Sequence, residues 1–330
     1  MTSKLFSYQS LTPEIQLDAL ASIGIYPETG LVALNSYENR VSLFTDENKI
    51  RYVVKFYRPQ RWSDQQLLEE HQFCQELQQQ GCNIAAPVAI NQQTVFQFKH
   101  YYFALFKSLS ARSLDIENID QLYEVGRTLG KVHRIGAQKD FIYRQTLTIE
   151  NMVSTPLLEL RTSELIPKYL RQPLFTALDL LAERIKTSLS SYQAKQIRLH
   201  GDCHPSNILM NNEQPYLVDF DDCKMGPAIQ DIWMLLHGDR QEQQLQLSML
   251  LEGYQEEFDF DPKELRLIES LRGMRIINYL CWINKRWTDP AFPVSFPWFI
   301  TEQYWKELLQ SLQQQISLLA QEPLSLQPDY

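Results

Sequence analysis

The sequence predicts an α+β chain in which a small β-rich lobe precedes a large, mostly helical one. Three observations carry that expectation. A first helix, then short β-like runs with a second helix among them, fill residues 1–107, long stretches with a helical period dominate residues 108–330, and 330 residues suit two compact lobes or one large domain. Hydrophobic residues at 44% and aromatics at 12% suffice for a sizeable core and are too many for disorder. The 31 Lys+Arg against 40 Asp+Glu leave a net charge of −9, which argues against nucleic acid as a partner because phosphate binding needs a basic footprint. Glycine is scarce, 11 of 330 residues, which excludes glycine-fingerprint dinucleotide sites and Walker A loops.

Thr12-Pro13-Glu14 places a cap residue, an N1 proline and an early acid ahead of Ile15–Ile23 and predicts a first helix. Leu31–Leu34 and Arg40–Thr45 read as strands flanking Ser36-Tyr37-Glu38-Asn39, and Ile50–Tyr57 follows the turn Asp46-Glu47-Asn48. Ser63-Asp64 opens a helix that runs through Gln80, with Leu67, Glu70, Phe73 and Leu77 at helical spacing and Gly81 as its stop. Thr94–Phe98 and Tyr101–Phe106 complete the small lobe. Beyond Leu114 the period turns helical: Leu122–Ile135 lines up Leu122, Val125, Leu129, Val132 and His133, and Pro173–Ser190 repeats the pattern. Phe141–Arg171 between them reads as an irregular insertion. A β island (Gln196–Leu199, Ile208–Met210, Tyr216–Phe220) precedes helices over Gln241–Phe258, Pro262–Arg286 and Phe299–Ala320.

Cys74, Cys82, Cys203, Cys223 and Cys281 form no Cys-x-x-Cys pair, so reduced thiols are expected. Met1–Ser10 shows no charged-then-apolar leader, and no run approaches the ~18 apolar residues of a membrane span. We expect a cytoplasmic protein without a membrane partner. No exposed heptad or long edge strand stands out, so the expected state is a monomer.

The chemistry concentrates in His200-Gly201-Asp202-Cys203-His204-Pro205-Ser206-Asn207-Ile208-Leu209, followed by Tyr216-Leu217-Val218-Asp219-Phe220-Asp221. Phosphoryl transfer needs a carboxylate near the acceptor hydroxyl, oxygen ligands for Mg²⁺ and a cation on the nucleotide phosphates. Asp202 supplies the first. Asn207 and Asp219 suit Mg²⁺, which takes one or two protein oxygens together with phosphates and water. The spacing of His200, Asp202 and His204 would also suit Zn²⁺ in a hydrolase, but that reading leaves Lys55, Asn207 and Asp219 without a role. A catalytically dead interaction module is disfavoured because Lys55, Asp202, Asn207 and Asp219 are all present.

His-Gly-Asp-x-His-x-x-Asn followed by Asp-Phe-Asp resembles the aminoglycoside phosphotransferase/choline kinase branch of the protein-kinase-like fold. The resemblance implies a bilobal kinase with ATP between the lobes, Asp202 as acceptor-side base, and Asn207 and Asp219 as Mg²⁺ ligands. Tyr52-Val53-Val54-Lys55 resembles the third-strand lysine motif. Glu70, with Glu69 competing, resembles the lysine's glutamate partner, so a Lys55–Glu70 ion pair is expected to hold Lys55 on the phosphates. The turn Leu34-Asn35-Ser36-Tyr37-Glu38-Asn39-Arg40 stands where a glycine-rich phosphate loop would be. Ser36 there is either a phosphate donor or part of a plain polar turn. Tyr102–Leu109 falls at the interlobe hinge, with adenine expected near Phe106. Gly226-Pro227-x-x-x-Asp231 implies that Asp231 supports the catalytic loop, with His200 and His133 structural. Asp221 is open between a second metal contact and a replacement for the kinase glycine.

Arg198–Leu209, Leu217–Trp233, Asn278–Trp287 and Asp289-Pro290-Ala291-Phe292-Pro293 are similar to bacterial Ser/Thr protein kinases within this branch. That implies protein substrates with Ser/Thr acceptors, itself included, in cells under stress. Composition does not choose the acceptor, and a small-molecule kinase of the homoserine, choline or aminoglycoside type is the alternative. Glu256-Glu257 and Asp259–Asp261 would attract a cationic acceptor or simply be solvated. Trp282, Trp287 and Trp298 form either a recognition surface or helical core.

Overall fold

The computed structural model describes residues 8–326; Met1–Ser7, where most of the leader reading falls, lie outside the described residues. Thr12 caps α1 (Pro13–Ala21) by accepting from the Ile15 N–H. Next come β1 (Val32–Ala33), β2 (Arg40–Thr45) and β3 (Arg51–Phe56). The helix α2 (Asp64–Gln79) follows, and β4 (Phe96–Phe98) and β5 (Tyr101–Lys107) close the unit. The strands form one antiparallel sheet in the order β1-β2-β3-β5-β4. Alternation along β3 sends Val54 and Phe56 to a core shared with Phe44, Phe103, Leu105 and the Ala19–Leu20 stripe of α1. Lys55 points to the opposite face, paired in register with Val41 and Ala104, so it sits on a central strand.

A capping box between Ser63 and Gln66 starts α2, and Gly81 at φ +77° ends it. Leu67 packs under the sheet, whereas Phe73, Cys74 and Leu77 join the core of the helical part. One helix thus binds the sheet to the rest of the chain.

The helical part comprises α3 (Ile119–Gly136), α4 (Thr155–Leu160), α5 (Lys168–Ser190), α6 (Ile229–Ile232), α7 (Arg240–Gln255), α8 (Ile268–Arg286), α9 (Ala291–Ser295) and α10 (Glu302–Leu318). Helices α3 and α7 cross at backbone distance. A side chain at Gly126 would put its Cβ 1.9 Å from the Leu250 carbonyl oxygen. Two small sheets carry the loops of interest: β6 (Arg112–Ser113) with β8 (Ile208–Asn211) and β9 (Gln214–Leu217), and β7 (Ile197–Leu199) with β10 (Lys224–Gly226).

Several expectations are corrected. Phe141–Arg171 is largely ordered: a π-helical stretch, Glu150–Ser154, runs into α4, and α5 starts at Lys168 with Pro173 inside it. Burial of Leu170, Leu174 and Phe175 carries the helix through the proline. The strand read over Tyr216–Phe220 ends at Leu217, because Asp219 turns left-handed at φ 63°. Pro262–Leu267 is a 3₁₀ stretch ahead of α8. Strands β6 and β10 are too short for any alternation to be read. All five cysteines are buried and unpaired, and among the described residues no helix is long and apolar enough to cross a membrane.

Candidate active site

The β8–β9 hairpin brings the two motif blocks together. Ile208 pairs with Leu217, and the Asn207 carbonyl accepts from the Val218 N–H at 3.0 Å, which sets Asp219 beside Asn207. His200 fixes the geometry from below. Its Nε2 lies 2.8 Å from the Val218 carbonyl, which can only accept, so Nε2 donates; Nδ1 then accepts from the Asp202 N–H at 3.3 Å. Both ring nitrogens are therefore used within the loop, and among the described residues no cluster of three metal-ligating side chains exists. This removes the zinc reading. The Asn207 amide nitrogen donates to the Asp202 carbonyl at 3.0 Å, and its Oδ1 has no hydrogen-bond partner among the described residues.

Asp231, fully buried on α6, accepts from the His200 and Gly201 N–H groups at 2.8 Å each. His133 Nε2 lies 3.1 Å from the same carboxylate, and its Nδ1 is 2.9 Å from the Tyr254 hydroxyl. Burial pushes the Asp231 carboxyl up, but the His133 hydrogen bond and the Gly201 N–H outweigh it, and the net direction is down. Gly201 is required where it stands: φ is +84°, and a Cβ would meet the Asp222 carbonyl oxygen at 2.2 Å.

The Asp202 side chain is 27% exposed. Arg275 of α8 donates from Nη1 to its Oδ1 at 2.5 Å, and His204 Nε2 lies 3.5 Å from Oδ2. Burial would raise this carboxyl; the His204 hydrogen bond and the Arg275 charge hold it well below the usual carboxylate range.

The expected Lys55–Glu70 ion pair is not made. Lys55 Nζ lies 2.6 Å from Asp219 Oδ1 and 3.2 Å from Asp221 Oδ1, while Glu70 pairs with Arg144. The reason is electrostatic. Asp221 is buried among the cations Lys55, Arg61 and Arg144 and takes Lys55, and Arg144 reaches Glu70 while donating from Nη1 to the Asp221 carbonyl at 2.6 Å. Burial drives the Glu70 carboxyl up to about 7, with Arg144 and Lys55 opposing. The competing Glu69 instead accepts the N–H groups of Ile142, Tyr143 and Arg144, which anchors the segment that delivers Arg144. Burial would depress the Lys55 ammonium, but Asp219 and Asp221 hold it well above its ordinary value.

Ser36 lies half-buried in the turn between β1 and β2, and its hydroxyl makes no hydrogen bond among the described residues. The end of that turn is tied down. Glu38 pairs with Arg58 at 3.0 Å and Arg286 at 2.6 Å, and accepts from the Trp282 indole N–H at 2.7 Å. Asn39 Nδ2 donates to Asp221 Oδ2 at 3.1 Å. Trp282 and Trp287 pack against the core, while Trp298 stays 36% exposed. Sequence reasoning missed Glu38, Arg61, Arg144 and Arg275. Their partners are remote in the chain, and Arg144 stands in the segment read as irregular.

The model of a phosphotransferase enzyme family matches residues 30–268. The chain is 44% identical over 330 residues to stress response kinase A of Escherichia coli (strain K12), covering 100% of both. It is 43% identical, with the same coverage, to the serine/threonine protein kinase RdoA of Salmonella typhimurium (strain LT2). Among solved structures, amicoumacin kinase hAmiN superposes with a TM-score of 0.72 at 18% identity over 94% of each chain. The microcompartment-associated aminopropanol kinase does so with 0.72 at 17% identity, over 95% of this chain and 99% of that one. The chain shares its fold with these two.

Proposed function

Because the chain belongs to the phosphotransferase enzyme family, and so transfers phosphoryl groups to hydroxyl acceptors, we propose that it is a Mg²⁺-dependent Ser/Thr protein kinase. It uses ATP, phosphorylates proteins including itself, and serves a bacterial stress response. The observation that carries the acceptor class is the full-length 44% identity to stress response kinase A, supported by the 43% identity to a relative named as a Ser/Thr protein kinase.

The chain's own groups divide the work as follows. We place the lobe boundary at residue 107, with ATP between the lobes. Lys55, held on a central strand, binds the nucleotide phosphates once they compete for it with Asp219 and Asp221, and Glu70 holds Arg144 behind it. Ser36 donates to a phosphate from the β1–β2 turn. The donor set fits Mg²⁺: one half-exposed carboxylate, Asp219, and the free amide oxygen of Asn207 beside it. Mg²⁺ bound there supplies charge neutralisation at the β- and γ-phosphates. Asp202 accepts the hydrogen bond of the acceptor hydroxyl, orients it and takes its proton; the contribution is positioning and charge stabilisation. We propose a cytoplasmic monomer.

Incubation with γ-labelled ATP and Mg²⁺, comparing generic protein substrates with a panel of small alcohols and amines, tests the reading. Labelled protein, or label on the kinase itself, is the expected result. Turnover confined to a small molecule would reverse the acceptor assignment.

A further inference from the structure

We propose that Arg275 selects the acceptor: the kinase takes Ser/Thr hydroxyls with an anionic group close by, such as an acidic neighbouring side chain, and rejects cationic acceptors. The inference rests on the reading of Asp202 as the acceptor-side carboxylate.

One face of α8 carries Arg275, Tyr279, Trp282 and Arg286 at alternating steps of four and three, the spacing that puts side chains in a row. The far end of the row holds the β1–β2 turn through Trp282 and Arg286. Tyr279 stacks on Trp282 at 5.7 Å and is 39% exposed, continuing the row toward Arg275. Arg275 closes it beside Asp202, its side chain 43% exposed.

The use of that guanidinium is incomplete. Nη1 donates to Asp202 Oδ1 at 2.5 Å and approaches the Met234 sulfur at 3.8 Å. Nε and Nη2 have no hydrogen-bond partner among the described residues, and Asp202 is the only carboxylate paired with Arg275 there. Elsewhere on α8, Arg286 is held by Glu38, Arg272 by Glu269 and Lys285 by Glu159. Arg275 alone on this helix presents unfilled donors at the acceptor side. A planar fork of N–H groups matches a carboxylate or phosphate.

The consequences have opposite signs for the two acceptor classes. A bare carboxylate at Asp202 would draw an ammonium group into the cleft; paired with Arg275 it is neutralised, and the remaining donors repel a cation. An acceptor that hydrogen-bonds Asp202 Oδ2 and fills the free donors of Arg275 must carry hydroxyl and anion within about one or two residues of extended chain, roughly 3.3 Å each.

Steady-state kcat/KM is measured for wild type, Arg275→Met and Arg275→Lys on Ser peptides differing only in acidic, neutral or basic flanks. Small hydroxy acids and amino alcohols are assayed in parallel. In wild type the acid-flanked peptide should exceed the basic one by about 10- to 100-fold, the range of one charge-assisted fork. Arg275→Met should erase that ranking while affinity for a non-hydrolysable ATP analogue stays within about twofold, and Arg275→Lys should restore part of it. A ranking that survives Arg275→Met, or a wild-type preference for basic peptides or amino alcohols, overturns the proposal. If no polypeptide is labelled but hydroxy acids outrun amino alcohols in an Arg275-dependent way, the protein-acceptor reading fails and the Arg275 inference stands.

Discussion

Glu38, in the turn between β1 and β2, is paired at 2.6 Å with Arg286 in the last turn of α8. The contact crosses from the small sheet to the helical part, and Arg58 and Trp282 converge on the same carboxylate. Polar residues thus fix a turn that glycines would leave free. Hydrogen bonds to a buried charge contribute about 1.5–3 kcal/mol each. Arg286→Met is expected to raise KM for ATP roughly tenfold with a smaller change in kcat, because the turn loses its far anchor. Steady-state kinetics against ATP check this, and an unchanged KM would show that the turn orders itself without the latch.

Asp221 joins Asn39, Lys55, Arg61 and Arg144, drawn from four separate stretches of chain. Asp221→Ala removes the buried carboxylate shared by three cations, leaving Lys55 to Asp219, Arg61 to Asp222 and Arg144 to Glu70. Loss of one partner from a buried ionic cluster costs about 3–5 kcal/mol. We expect markedly earlier thermal unfolding and loss of nucleotide binding. Asp221→Asn keeps the Asn39 contact and should be the milder of the two. Melting temperatures with and without ATP separate the cases, and a melting temperature equal to wild type for Asp221→Ala contradicts the assigned role.

The small lobe was legible because its cues are local. Thr12 and Ser63 cap their helices as their side chains demand, and the alternation of Arg40–Thr45 becomes β2 with the same ends. The grouping of the motif residues was legible for a similar reason: Asp202 and Asn207 share one loop, and a short hairpin returns the chain to Asp219. What could not be read is long-range charge pairing. Lys55 was assigned to Glu70 by motif alone, whereas Asp221 and Arg144 decide the pairing from remote positions. Arg275 carries no local signal either, since a half-exposed arginine on a helix usually serves solvation.

The proposed roles of Asp202 and Asp219 differ, one on the acceptor and the other on the metal and nucleotide, so their losses should separate. Asp219 pairs with Lys55 and directly follows Val218, whose N–H bonds the Asn207 carbonyl, whereas Asp202 contacts Arg275 and His204. Asp219→Ala should abolish Mg²⁺-dependent transfer and weaken Mg²⁺-dependent nucleotide binding together. Asp202→Ala should leave nucleotide affinity within a few-fold and lower turnover by the ~10²–10⁴ attributable to a positioned base. Transfer of labelled γ-phosphate and analogue titration are read side by side. Full activity in either variant sinks the corresponding role.

Glu264 offers a pH-dependent test of the scaffold beneath the loop. It is buried at 4% exposure and accepts from the Ile229 N–H at 2.9 Å, at the head of the short helix that carries Asp231. Burial pushes its carboxyl up to about 7 from the ordinary 4.5, against the pull of the Ile229 and Ala228 N–H groups. The folded state therefore binds this proton more tightly than the unfolded state. Stability from the protonated form is fully present below about 4.5 and is lost as pH rises through about 7, on the order of 3 kcal/mol across the window. Glu264→Gln keeps an oxygen for Ile229 and cannot ionise. The difference in melting temperature between the variant and wild type should be small at pH 5 and grow in the variant's favour towards pH 8. Because Glu70 also titrates near 7, the difference between the two curves isolates Glu264, whereas the wild-type slope does not. Parallel curves across that range would mean that Glu264 does not titrate there.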